Sequence, residues 1–176
     1  MIVSLKFIIR IANAVNEWAG KVGSWLTLFL VLLVCFDVGK RYIFNDASVW
    51  GMELEWHIFA AIFLLGAGYA FKHDRHVRVD LFYSNFSERD KAWTNLIGGI
   101  VFLIPWCILI IAVSFVYAKG SFDIMEGSPN PDGLPLRFII KFVVTFGIGL
   151  LLLQGLANVS ESLLVLIEKP KTQEHD

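Results

Sequence analysis

The residues best suited to chemistry fall in three short stretches. Asp37 and Arg41 form an acid–base pair at i, i+4 near the end of an apolar run. That spacing favours pairing on one helix face, and pairing lowers the cost of holding charge near hydrocarbon. Local self-pairing is the plain reading, and a contact to another subunit is the alternative. Glu53, Glu55, Trp56 and His57 crowd a second stretch. Negative charge at a helix start is favoured by the macrodipole, which accounts for Glu55. Glu53 and His57 share a face with Ala60, Ala61, Leu64 and Gly68, so they read as polar packing contacts. A proton relay would use the same pair, but both lie near an interface. The third stretch holds His73, Asp74, His76 and Asp80. Its spacing fits no zinc pattern and its cationic neighbours oppose cation binding, so no metal site is expected. With no Walker loop, HExxH, serine elbow or CxxC in the chain, no catalytic residue and no cofactor is expected either.

Four charge-free apolar runs must position these groups: 22–36, 56–71, 92–118 and 142–160. Crossing a hydrocarbon core of ~30 Å takes roughly 17–25 mostly apolar helical residues. The composition is 56% hydrophobic and 18% charged, against ~25% charged for a soluble domain. The expected fold is an all-α membrane protein, one domain over 1–176, with four transmembrane helices at about 22–42, 50–71, 92–118 and 137–160. Residues 1–19 read as an amphipathic interfacial helix rather than a secretory signal, because Lys6 and Arg10 interrupt the apolar residues. Lys6, Arg10, Asn13 and Glu17 make one polar stripe opposite Leu5, Ile8, Ile9, Ala12 and Val15. Such a helix lies on membrane lipids or on a partner's surface. Ten Lys and Arg fall on the side of the termini and five on the other. The positive-inside rule therefore puts both termini in the cytoplasm, with 161–176 as a cytoplasmic tail.

Net charge −1 gives no field for nucleic acid. Cys35 and Cys107 both fall inside spans, where thiols act as small apolar groups, so no disulfide is expected. Ser87-Glu88-Arg89-Asp90 resembles a capping box opening the third span, and Pro105 predicts a kink within it. Gly66 and Ala70 form a small-xxx-small pair suited to close helix approach. The segment 127–135, with three prolines and two glycines, predicts a stiff, turn-rich outer loop. It serves either as a docking surface or as a tight connector. A transporter that binds its own substrate places polar groups or broken helices near the midplane. Spans whose few ionisable groups cluster at their ends instead suggest a scaffold or accessory subunit.

Four pieces of the sequence, in this order, resemble a known family: Arg41-Tyr42-Ile43-Phe44-Asn45, Trp50-Gly51-Met52-Glu53-Leu54-Glu55, Leu65-Gly66-Ala67-Gly68 and His76-Val77-Arg78-Val79-Asp80. The family is the small membrane subunit (DctQ-type) of the tripartite ATP-independent periplasmic, or TRAP, transporters. The resemblance is densest from Asp37 to Phe82, and 128–137 resembles a subset of these subunits. It implies an inner-membrane subunit of a secondary importer of organic acids driven by an ion gradient, with sodium the expected ion. It implies two partners, a large elevator-type membrane subunit of about twelve spans and a periplasmic substrate-binding protein. Under this reading Asp37, Arg41, Trp50, Glu53 and His57 are candidates for the large-subunit interface. Asn130, Pro131, Asp132, Gly133 and Leu134 are candidates for docking the periplasmic protein. Competing readings are a haem-bearing membrane anchor of an oxidoreductase, a small oligomeric channel or exporter, and the small subunit of the tricarboxylate tripartite systems. The haem anchor is hard to build because, of the four histidines, only His57 lies in a span. The His76–Asp80 run argues against the tricarboxylate system.

Overall fold

A computed structural model describes residues 2–75 and 83–167. The chain folds there into helices: α1 (Ile2–Phe44), α2 (Val49–Lys72), α3 (Glu88–Gly98), α4 (Ile104–Asp123) and α5 (Phe138–Ile167). A π-helical turn, Gly99–Leu103, joins α3 to α4, so 88–123 forms one interrupted rod. Four rods are long and apolar enough to cross a membrane.

The 1–19 segment is not a separate helix. From Ile2 it is continuous with the first span, and the 43 residues of α1 give a rod of about 65 Å at 1.5 Å per residue, twice the hydrocarbon thickness. Its packed face is Ala12, Asn16, Ala19 and Gly23, spaced four, three and four residues apart, as one helix face requires. The polar stripe expected to face headgroups is partly turned inward: Asn13 accepts from Gln154 on α5, and Glu17 accepts from Lys72 on α2.

Local chemistry explains the helix starts and the interruption. Ser87 caps α3 as its spacing predicts, its hydroxyl oxygen accepting from the Asp90 backbone N–H at 3.2 Å. Pro105 lacks the N–H that would bond to Val101, and the ladder widens into the π-turn just before it, with the Ile104 N–H reaching the Gly99 carbonyl. Where a kink is expected at Pro105, the helix carries a π-turn over Gly99–Leu103 just before it.

Helix α5 is the hub, packing against α1, α2, α3 and α4, while α1 packs against α2. Close approach depends on glycine at several crossings, at two of which a neighbouring backbone is met. A Cβ on Gly68 would collide with the Asn16 side chain, and one on Gly147 would lie 2.8 Å from the Leu64 carbonyl oxygen. The Gly66–Ala70 pair does not make the close contact, since a Cβ on Gly66 would meet open space. Without water there is little hydrophobic drive between helices, so this backbone proximity and interhelical hydrogen bonds hold the bundle. Outward faces stay apolar, with Trp25, Phe29, Phe59, Phe63, Phe102 and Trp106 exposed. Beside the π-turn an open apolar groove of about 560 Å³ runs along Val101, Phe102, Pro105, Trp106 and Leu109.

Candidate functional site

The polar residues gather at two ends of the bundle. One end carries the α1–α2 turn and the 124–137 loop. Asp37, on the last turns of α1, is buried at 4% exposure. Its carboxylate accepts from the Arg41 guanidinium at 2.8 Å and, across the turn, from the Ser48 hydroxyl at 3.4 Å. The expected i, i+4 pairing with Arg41 therefore forms, and Asp37 also clasps the start of α2. Gly51 leaves room for this clasp, because a Cβ there would lie 2.6 Å from Ser48 Oγ and 3.3 Å from Asp37 Oδ1. Asn45 turns the chain in the left-handed region at φ 52°, a conformation that asparagine tolerates. Lys40 pairs with Asp46 across the same turn at 2.8 Å.

Two residues after Gly51, Glu53 is 3% exposed. Its carboxylate takes the Ser128 hydroxyl, the Asn130 side-chain amide at 2.9 Å and the Leu134 backbone N–H at 2.8 Å. The structure thus joins a residue expected at a subunit interface to the loop expected at a docking surface. His57, one turn on, brings Nδ1 to the Glu53 carbonyl and stacks on Trp56 with ring centroids 3.9 Å apart. The Arg137 guanidinium lies over that Trp56 ring, 5.7 Å from its centroid. Arg41 and Trp50 remain exposed. Among the five interface candidates, then, Asp37 and Glu53 are enclosed by their own chain while Arg41 and Trp50 face outward.

The base of the 124–137 loop is held separately. Glu126 accepts from Ser121 at 2.6 Å and from Lys141, and the Lys141 ammonium lies 4.0 Å over the Tyr117 ring. The Lys141 hydrogen bond, with that of Ser121 behind it, holds the Glu126 carboxyl below its ordinary value of 4.5. The Arg137 N–H closes the base on the Glu126 carbonyl at 2.8 Å.

A second polar set lies toward the other end, and its buried amide pair, Asn16 and Gln154, was not singled out by sequence reasoning. Asn16 is fully buried and donates to Gln154 Oε1 at 3.0 Å, to the Ala12 carbonyl and to the Leu150 carbonyl. Gln154 in turn donates to Asn13 at 3.0 Å. Glu17 bonds both Lys72 and, at 3.2 Å, His73. The available signal was an amide in each of two apolar helices, Asn16 within the packed face of α1 and Gln154 within a run of leucines.

Among the described residues no group of three His, Cys, Asp or Glu side chains is placed to hold a metal. His76, Val79, Asp80, Leu81 and Phe82, and the residues from 168 onward, including His175, lie outside them. His57 and His73 sit sixteen positions apart on and just past α2, about 24 Å along a helix axis, too far to ligate one haem from both sides. Cys35 and Cys107 are free thiols.

This is an arrangement of apolar rods clasped at their ends, and the comparisons with known proteins agree with it. The chain is 28% identical over 122 residues to the sialic acid TRAP transporter small permease protein SiaQ of Vibrio cholerae, covering 69% of each chain. It is 23% identical over 139 residues to the C4-dicarboxylate TRAP transporter small permease protein DctQ of the same organism, covering 73% of this chain and 59% of that relative. The sequence model of the DctQ component of tripartite ATP-independent periplasmic transporters matches residues 30–164. With most of its length matched and four rods able to span a bilayer, the chain belongs to the DctQ family of TRAP transporter small permease subunits, a transporter component and not an enzyme family.

Proposed function

We infer that this chain is the small subunit of a tripartite secondary importer in a bacterial inner membrane. It braces a large membrane subunit of about twelve spans and carries no substrate site itself. The importer is driven by an ion gradient, with sodium as the coupling ion, and takes organic acids handed over by a periplasmic binding protein. Both relatives' names specify acids, sialic acid and C4-dicarboxylate. Both termini lie in the cytoplasm, which places the 124–137 loop on the periplasmic side.

The observation that carries this reading is where the polarity sits. Asp37, Glu53 and Glu126 are spent on clasps at one end, and Asn16, Gln154 and Glu17 at the other. Much of what remains exposed along the rods is apolar, including the aromatic ridge Trp56, Phe59 and Phe63 on α2 and the groove beside the π-turn. A rigid element with apolar flanks suits a brace. The large subunit packs on these flanks, with Arg41, Trp50 and His57 at the rim of the contact and Asp37 and Glu53 fixing the backbone behind it. Asn130 to Leu134 meet the periplasmic protein.

Affinity purification of the tagged chain in mild detergent tests the reading, followed by uptake in proteoliposomes. It expects an equimolar partner of about a dozen spans, and sodium-dependent uptake of an organic acid only when the loaded binding protein is added. Recovery of the chain alone, as a homo-oligomer, overturns it.

A further inference from the structure

The loop between α4 and α5 runs from 124 to 137, whereas helix–helix connections in bundles usually take roughly 2–8 residues. Its extra length is not spent on slack. Ser128 N–H donates to the Leu134 carbonyl at 3.0 Å, Gly133 N–H donates to the Asn130 carbonyl at 3.1 Å, and Ser128 Oγ accepts from the Asn130 backbone N–H at 3.1 Å. These bonds close residues 128–134 into a ring. At its centre lies the carboxylate of Glu53, which belongs to a different helix and takes one donor each from Ser128, Asn130 and Leu134. The ring is wrapped so closely that a Cβ on Gly133 would collide with Ser128 Oγ and approach Glu53 Oε2 to 2.9 Å. Asp132 completes the turn at φ 60°, and Pro129 and Pro131 remove backbone alternatives.

We propose that Glu53 is a positioning residue: its carboxylate folds the 128–134 loop into a preformed tip that the periplasmic binding protein docks on. This rests on the reading above that a soluble binding protein meets this end of the bundle. The tip offers Pro129, Pro131 and Asp132 outward, all exposed, while the Asn130 amide turns in to Glu53. Ordering a loop at the moment of association costs affinity, and a loop ordered beforehand avoids that cost. A charge-assisted set of three bonds to one buried carboxylate is stronger than neutral loop bonds. The same helix start is clasped to α1 through Asp37 and Ser48, so the tip is referenced to the rigid bundle and not to the loop alone. A segment that merely connected α4 to α5 has no need of a fixed tip.

The test uses the whole complex with Glu53→Gln, which keeps the side chain's shape but loses its charge and one acceptor oxygen, and with Gly133→Ala, which crowds the ring from the other side. Two readouts are taken. Hydrogen exchange at the 128–134 amides is expected to quicken in both variants while the large subunit still co-purifies. In proteoliposomes the half-saturating concentration of loaded binding protein is expected to rise about fivefold or more, with a smaller effect on the plateau rate. Wild-type exchange in Glu53→Gln overturns the clamp. Faster exchange with an unchanged half-saturating concentration overturns the docking role. Loss of the large subunit with loop protection intact returns Glu53 to the subunit interface. Wild-type complex that takes up substrate without any binding protein overturns the functional reading itself, a result distinct from these three.

Discussion

At the scale of single residues, glycine and carboxylate placement decides most of what this bundle can do. Gly68 and Gly66 lie two positions apart, yet only Gly68 faces the buried Asn16 side chain. Gly68→Ala is therefore expected to destabilise the bundle by about 1–3 kcal/mol, the usual range for forcing a group into a packed site. Gly66→Ala, meeting open space, is expected to be neutral or slightly stabilising through helix propensity. Thermal melts of the two variants in detergent check the contrast, and equal losses would contradict it. Glu126 supplies a pH dependence. Its carboxyl titrates below the ordinary 4.5 because Lys141 and Ser121 hydrogen-bond the ionised form. A depressed folded value means the stabilisation is fully present above 4.5 and is lost as pH falls through the lower folded value. Between pH 7 and pH 5 the base of the loop should not change. Below 4.5 its proteolytic susceptibility should rise, and Glu126→Gln should abolish that acid-dependent rise.

At the scale of elements, the bundle is joined by side chains reaching between helices far apart in sequence. Asn16 on α1 and Gln154 on α5 are 138 positions apart and meet at 3.0 Å. Interhelical hydrogen bonds in membranes average about 0.6 kcal/mol and reach about 1.7. Gln154→Leu is expected to cost about 1 kcal/mol, and adding Asn16→Leu to it should cost less than the sum of the two single changes. A double-mutant cycle on detergent melts measures this, and simple additivity would show that the two amides are not coupled. The expected helices were legible because apolar runs and caps are local signals. The Ser87 cap stands where the residues indicate, and a π-turn precedes Pro105. The independence of the 1–19 helix was not legible. Gly20, between Ala19 and Val22, weakens the helix without breaking it, and the polar residues that suggested a headgroup-facing stripe are in part bonded to α2 and α5.

At the scale of the whole molecule, α5 packs on every other helix described while α1 packs chiefly on α2 and α5. Broad apolar flanks are left, with Trp25, Phe59 and Trp106 each more than 60% exposed. Their solvent is lipid or a partner subunit. Since a partner that binds only the folded form stabilises it by mass action, co-expression with the large subunit is expected to raise the melting temperature of this chain above that of the chain alone. Matched scans of the complex and the isolated chain check this, and coincident transitions would argue against a bracing contact.

The sequence by itself determined that the chain carries four rods long and apolar enough to cross a membrane, and where several of their ends fall. Those properties follow from apolar run length and from caps, which act over a few residues. Tertiary structure decided which glycines are crossings and which acids are clasps. Glu53 shows the division. From its neighbours it is an acid in the first turns of a helix, suited to a polar packing contact or, on the family resemblance, to a partner subunit. Its three donors come from a loop more than seventy positions later, and no local periodicity records a hydrogen bond that forms only when two distant helix ends are brought side by side.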